Sequence, residues 1–346
     1  MYFNKRILLE AVRTDLPLLE RFNYLGIYSN NLDEFFRVRV ASLRRIVGSP
    51  EAIPSHERRK AKETLRTIIR LNKEYSELFD RTFADLLRSL TEAHIHIINE
   101  QQLTTDQEDE VLSFFMDKIN GITNPIFINS PTFRPEQHLK EALYLVVVLW
   151  HEQGEEEEAH DVALLEVPTK ELGRFLRLQD KDGESYLMFL DDVLRYCLPY
   201  IFIGREYAHY EAYTFKFTKD AEFEIEQDLR SSVIEMVSRG VKRRGRGEAV
   251  RVVYDDALSP EILRRLSDMA ELNYRDMRIG GGRYHNMRDL MTLPDCGRSG
   301  LRFPKQVPLQ MDEFHYAQSI ISQVLRRDRC IHFPYYSFDH FLRLLQ

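Results

Sequence analysis

Apolar residues recur through the first ninety positions at helical spacing. Leu18, Phe22, Leu25, Leu32 and Phe35 fall mostly three, four or seven residues apart, the stripe of a buried helix face. The same pattern predicts a short amphipathic helix over 3–12. A second helix opens at Asp15-Leu16-Pro17, with Pro17 near its first turn, runs to Val47 and is closed by Gly48-Ser49-Pro50. A long charged helix follows over 55–90, with Leu65, Ile68, Ile69, Leu71, Tyr75, Leu78 and Phe79 as its apolar positions, and reads as the outer member of an antiparallel hairpin. Within the second helix lies Ser29-Asn30-Asn31. All three residue types bond readily to nearby backbone and are weak helix formers. The spacing therefore allows a bend there, with Asn31 capping a restarted helix and Glu34 completing a capping-box-like pattern. An amide also offers both a donor and an acceptor to the edge of a purine. On residue chemistry alone the cap is the simpler reading.

Beyond position 94 the pattern changes to mixed strands and helices. Strands are predicted over 95–98, 126–128, 143–149, 162–167, 213–218 and 249–254, and helices over 105–120, 187–196, 223–239 and 260–271. The most apolar run, 142–150, is too short to span a bilayer as a helix and suits a buried strand. After Phe303-Pro304-Lys305 a helix over 312–327, a strand over 330–333 and a helix opening at 337–340 resemble the first βα unit of a further domain. The expected fold class is multidomain α+β: an all-helical domain over 1–93, an α+β domain over 94–305, and the truncated start of an α/β domain over 306–346.

Composition narrows the function classes. With 48 basic and 55 acidic residues the net charge is -7, so the chain has no general attraction for nucleic acid or an anionic membrane. A polyanion would need a local basic groove. Three cysteines without a Cys-x-x-Cys pair provide no disulfide framework and suit a reducing cytoplasm. The N-terminus is not followed by a signal-peptide apolar core.

Several clusters could carry chemistry. Gly280-Gly281-Gly282-Arg283-Tyr284-His285-Asn286 could bring backbone and Arg283 to a phosphate, but it lacks the P-loop ending and dinucleotide spacing; a tight interdomain turn is the competing reading. Arg239, Lys242, Arg243, Arg244 and Arg246 could grip a polyanion, or simply be solvated at a helix end. No aromatic residues interleave with them, which disfavours single-stranded nucleic acid. His151 and His160 flank four glutamates at 155–158, where a solvated acidic loop is favoured over a metal site. His94 and His96 read as structural, and His332, Tyr335, Tyr336 and His340 cluster without an assignable role. Neither a nucleophilic triad nor a carboxylate pair is visible.

The stretch Pro17-Leu18-Leu19-Glu20-Arg21-Phe22, continuing through Tyr24-Leu25-Gly26-Ile27-Tyr28-Ser29-Asn30-Asn31-Leu32-Asp33-Glu34-Phe35-Phe36 to Val38-Arg39, resembles the N-terminal signature of bacterial polyphosphate kinases of the histidine-phosphorylating type. Phe3-Asn4-Lys5-Arg6, Ile98-Asn99-Glu100, Asp191-Asp192-Val193-Leu194-Arg195-Tyr196, Thr218-Lys219-Asp220-Ala221-Glu222, Gly281-Gly282-Arg283-Tyr284-His285-Asn286 and Phe333-Pro334-Tyr335-Tyr336-Ser337-Phe338-Asp339-His340 match further family segments in order. The resemblance implies a helical N-terminal domain, a head domain contributing to dimerisation, and the beginning of the first of two phospholipase-D-like catalytic domains. It implies reversible transfer of the terminal phosphate of ATP to polyphosphate through a phosphohistidine, with magnesium, ADP as co-product, a homo-oligomer (dimer or tetramer), and a cytoplasmic location with or without membrane association. The second Asn of the family motif contacts ATP, which assigns that contact to Asn31. The phosphorylated histidine and the magnesium site belong to segments beyond Gln346, so His332 and His340 take neither role and the isolated chain is expected to be inactive. The competing expectation is a noncatalytic dimerisation or polyanion-binding module.

Overall fold

The computed structural model describes residues 1–49, 53–131, 133–134, 140–151, 160–204, 207–219, 249–269 and 278–345. The expected helix over 223–239, the basic cluster between Arg239 and Arg246, and the glutamates at 155–158 lie outside the described residues. The chain divides into two compact units, Met1–Leu301 and Arg302–Gln346.

The first unit begins with helices α1 (Tyr2–Val12), α2 (Leu18–Phe35), α3 (Ala41–Gly48) and α4 (Ser55–Glu92). Their apolar stripes meet as the spacing predicts. Phe22, Leu25, Tyr28 and Leu32 of α2 and Leu65, Ile68, Tyr75 and Phe79 of α4 are buried in a common core. Asn31 caps nothing, because α2 is unbroken from Leu18 to Phe35; the irregularity comes later, as a π-helical turn over Phe36–Val40. Tyr28 and Leu32 are both buried on either side of the weak triplet, and the Tyr28 ring packs on Phe79 with centroids 5.7 Å apart. Burying such side chains stabilises by about 1.5–3 kcal/mol each, against a propensity penalty of up to about 0.7 kcal/mol per residue. Gly26 lets α2 lie against the 3₁₀ turn Met287–Thr292: a Cβ there would stand 2.6 Å from Met291 Cγ and 2.9 Å from its backbone nitrogen.

A six-stranded sheet forms the middle layer, in the order β2 (Ile126–Phe127), β4 (His160–Glu166), β3 (Leu143–His151), β7 (Tyr207–Lys219), β8 (Ala249–Asp255), β9 (Arg278–Gly281). All its pairings are antiparallel except β8 with β9. The apolar run of β3 is buried on both faces. Tyr144, Val146 and Val148 join the core shared with α2 and α4. Leu143, Leu145, Val147 and Leu149 join a second core with α5 (Thr105–Phe114) and α6 (Leu190–Tyr196). This is the period-two alternation of a strand sandwiched between layers.

A smaller sheet, β1 (Ile95–Ile98), β6 (Glu184–Phe189), β5 (Phe175–Lys181), closes the second core. Here the helix expected over 187–196 is corrected: Leu187, Met188 and Phe189 end β6, paired with β1 and β5, and the helix starts at Leu190. The β5–β6 hairpin turns at Asp182-Gly183, both with positive φ (53° and 82°), the Asp-Gly signal of a tight hairpin. His94 Nδ1 and His96 Nε2 sit 2.8 and 2.6 Å from the two carboxylate oxygens of Glu184, which fixes them in a structural role.

In the second unit the helix expected over 312–327 is two pieces, Asp312–His315 and Ile320–Arg326; the Ser319 hydroxyl accepts from the Ser322 N–H at 3.3 Å and restarts the chain as a new helix. The strand expected over 330–333 is absent. The Tyr336 N–H instead donates to the His332 carbonyl at 3.0 Å, a turn, and pairing is confined to one bridge between Leu309 and Tyr336. His340 is a packed residue here: its Nε2 accepts from the Met311 N–H at 3.0 Å. Val307, Tyr316 and Leu325 are each at least 80% exposed.

Candidate functional site

Two buried ion networks tie the layers together, one joining α2 to the six-stranded sheet and one joining α6 to the 283–286 turn, and most of their members come from the motif segments. Asp33, near the end of α2, accepts from Lys216 Nζ of β7 at 2.6 Å and from Arg251 of β8 at 2.9 Å. Lys216 also donates to Asn286 Oδ1 at 2.8 Å, and the Asn286 amide donates to Asp289 at 3.1 Å. The Arg251 guanidinium lies over the Phe36 ring, 4.7 Å from its centroid. Burial alone would raise the Asp33 carboxyl; the two cations outweigh it and hold the group below its usual range.

Asp192, on α6, is the centre of the second network. It accepts from Arg195 at 2.7 Å, from two nitrogens of Arg283 at 3.2 and 2.9 Å, and from the Tyr284 hydroxyl at 2.6 Å. Arg283 donates in addition to Glu100. Beside it, buried Arg174 donates to Asp191 at 2.8 Å and to the His285 carbonyl at 3.0 Å. Burial and then Asp192 raise the Tyr284 hydroxyl well above its ordinary value.

These contacts decide between the two readings of the glycine-rich stretch. It is no phosphate cradle. Gly280 lies in β9, where a Cβ would fall 1.7 Å from Asp256 Oδ1, so this glycine makes room for the Asp256 side chain rather than for a bound phosphate. Arg283 is committed to Asp192 and Glu100. The segment is a turn leading into Met287–Thr292, with Asn286 at φ 61° as its first cap.

Two cavities flank the Asp33 network. A smaller one of about 110 Å³ lies between α2 and α4 and the β8–β9 edge. A larger polar cleft of about 400 Å³ is lined by Asn30, Asp33, Glu34 and Arg37 of the α2 region, with Lys140, Glu166, Lys170 and Arg288 opposite. Asp33, Lys216 and Asn286 line both. Burial raises the carboxyl of Glu141 in the cleft, with Arg37 and Lys216 opposing.

Asn31 is half-buried on α2 and lines neither cavity, although its neighbour Asn30 lines the cleft. No other described residue takes a hydrogen bond from its amide or gives one to it. It flanks the buried stripe of Leu25, Tyr28 and Leu32, three residues on from Tyr28, and is itself half-buried. Among the described residues no group of three or more His, Cys, Asp or Glu side chains is arranged to hold a metal ion. Among the described residues no helix is long and apolar enough to cross a membrane. The sequence alone misses the partners of Asp33 and Asp192; the one usable signal is that both lie in the motif segments.

Fold and site together define a mixed helix-and-sheet protein in which buried ion pairs lock a helical segment onto a sheet beside a polar cleft. Two family models match this chain, one described as the polyphosphate kinase N-terminal domain over residues 1–98 and one as the polyphosphate kinase middle domain over 106–293. The chain belongs to the polyphosphate kinase family. It is 30% identical to the polyphosphate kinase of Vibrio vulnificus strain YJ016 over 99% of this chain and 49% of that protein. To that of Escherichia coli K12 it is 32% identical, over 99% and 50%. The crystal structure of polyphosphate kinase from Porphyromonas gingivalis superposes with a TM-score of 0.76 at 28% identity, covering 99% of this chain and 47% of that one. The chain thus spans about half the length of the curated relatives it matches.

Proposed function

We propose that this chain is the nucleotide-facing portion of an ATP:polyphosphate phosphotransferase. In this reading residues 1–93 are a helical domain, 94–305 a head domain that contributes to a dimer or tetramer, and 306–346 the beginning of the first catalytic domain. Terminal phosphate passes reversibly from ATP to polyphosphate through a phosphohistidine supplied by the family's catalytic domains, with magnesium held there. The exposed apolar side chains of 302–346, among them Val307, Leu309 and Leu325, support the assignment of that segment to a domain whose other elements cover them.

Asn31 is the proposed ATP contact. The observation that carries this is its half-buried amide, uncommitted to other described side chains and one residue from the polar cleft. An amide there positions the nucleotide while the catalytic domains perform the transfer, in which positioning and electrostatics do most of the work. The test uses the full-length natural enzyme. It should form an acid-labile phosphoenzyme from labelled ATP, and Asn31→Ala should raise KM for ATP about two- to tenfold, the equivalent of one neutral hydrogen bond. Acid-stable label in the parent, or an unchanged KM in the variant, would sink the respective half of the proposal. The 346 residues by themselves should take up no label.

A further inference from the structure

The two ion networks meet at a carboxylate that lines neither cavity. Asp289 lies on the 3₁₀ turn Met287–Thr292. Its Oδ2 accepts from the Asn286 amide at 3.1 Å and, over a longer 3.5 Å, from Arg174 Nη1. Its Oδ1 stands 3.4 Å from Arg288 Nε. Beyond these partners, Arg174 donates to Asp191 at 2.8 Å, and Asn286 accepts from Lys216, itself 2.6 Å from Asp33. One unbroken run of side chains thus leads from α2 to α6: Asp33, Lys216, Asn286, Asp289, Arg174, Asp191.

The two ends of the run differ. Arg174 and Asp191 are 2% and 0% exposed, and the Arg174 guanidinium packs on the Phe189 ring, 5.4 Å from its centroid. Groups held in a close-packed interior have little freedom to move. At the other end Asn286 and Arg288 line the polar cleft. Asp289 engages one of them with each carboxylate oxygen. It also decides which way the Asn286 amide faces. With Asp289 as the acceptor for Nδ2, Oδ1 is left to Lys216; the opposite orientation would aim an N–H at an ammonium. The same turn meets α2 where Met291 approaches Gly26, so the turn and the helix that carries Asn31 are placed together.

We propose that Asp289 is a positioning residue for the nucleotide-facing cleft. It anchors Asn286 and Arg288 to buried Arg174, and by orienting the Asn286 amide it keeps Lys216 and Asp33 in register under α2. It touches no substrate itself. The assignment rests on the reading of the cleft given above.

Two measurements test it. In the full-length enzyme, Asp289→Ala should raise KM for ATP two- to tenfold, the equivalent of one hydrogen bond, with kcat changed less. Asn286→Ala should do the same, and the double variant should be no worse than the more affected single one, because both break one link. Asp289→Asn, which keeps the size and an acceptor for the Asn286 amide, should recover part of the loss. In the 346-residue chain, without nucleotide, the urea midpoint shifts of Asp33→Asn and Asp191→Asn should fail to add, since members of one network couple. In an Asp289→Ala background they should add. Circular dichroism verifies that each variant is folded; should Asp289→Ala fail to fold, the near-isosteric Asp289→Asn decides. An unchanged KM in the Asp289 variants overturns the proposal, as does a fall in kcat alone. So do KM increments that multiply in the double variant, or midpoint shifts that already add in the parent. The midpoint measurement involves no nucleotide, so its failure is distinct from an unchanged KM in Asn31→Ala, which strikes only the ATP contact.

Discussion

Asp192 accepts four hydrogen bonds from three side chains and is fully buried, whereas Asp33 accepts two and lines both cavities. Both carboxylates are paired with cations from distant strands or loops, and both lie in motif segments. Their surroundings separate scaffold from site. Three donors crowd Asp192 Oδ1 and the Tyr284 hydroxyl takes Oδ2, all away from solvent, so Asp192 holds the 283–286 turn against α6 and Glu100. Asp33 keeps acceptor capacity in space that a ligand can reach. Motif membership alone would have treated the two alike.

The comparison breaks first at Asp192. Asp192→Ala leaves Arg195 and Arg283 without their shared anion in a buried setting, and removing one partner of a buried pair typically costs about 3–5 kcal/mol. Urea unfolding of the 346-residue chain should show that loss, and a shift below 1 kcal/mol would mean the network is not the scaffold described. Asp33→Asn should cost less, about 1.5–3 kcal/mol, since it weakens two charge-assisted hydrogen bonds at a group with a cavity on either side. A cost at Asp33 equal to or above that at Asp192 would erase the distinction.

The pH dependence sharpens the difference further. Burial lowers His285 to about 4 in the folded chain, below the ordinary value near 6.5. The unfolded chain therefore takes up the proton first as pH falls. The contribution of His285 to stability is fully present above about pH 6.5 and is lost as pH falls towards 4, with a slope of about 1.4 kcal/mol per pH unit. His285→Asn, which removes the titrating ring and keeps a polar side chain, should flatten the urea-unfolding profile in that window. Asp33, held below its unfolded value by Lys216 and Arg251, works in the same sense but only at lower pH.

The helices and the central strand were legible because their information is local. The stripe of α2 and α4 and the run of β3 are periodicities within ten or twenty residues. The β5–β6 hairpin was equally local, marked by Asp182-Gly183, but the apolar residues 187–190 that follow read as helix until the turn is taken into account. Asn31 misled for a different reason: packing by Tyr28 and Leu32 overrode the capping tendency of its neighbours. The networks are another matter. Lys216 and Arg251 stand 183 and 218 positions from Asp33, and no pattern along the chain encodes such pairs. The second unit shows the converse. Its strand was expected from residue type, yet a strand needs a partner, and Cys330-Ile331-His332-Phe333 finds none among the described residues.

The smallest expected effect is the most discriminating. Asn31 shares a helix and a motif with Asp33, but its amide bonds to no other described residue and its side chain is only half-buried. Asn31→Ala should therefore change unfolding free energy by less than about 0.5 kcal/mol; alanine, the better helix former, could even offset part of any loss. A residue kept for folding would behave like Asp192, with stability and nucleotide affinity falling together. A residue kept for a ligand should lose affinity alone. If Asn31→Ala destabilises the chain by 1.5 kcal/mol or more, Asn31 belongs with the scaffold, and the polar cleft beside α2 loses its claim to face the nucleotide.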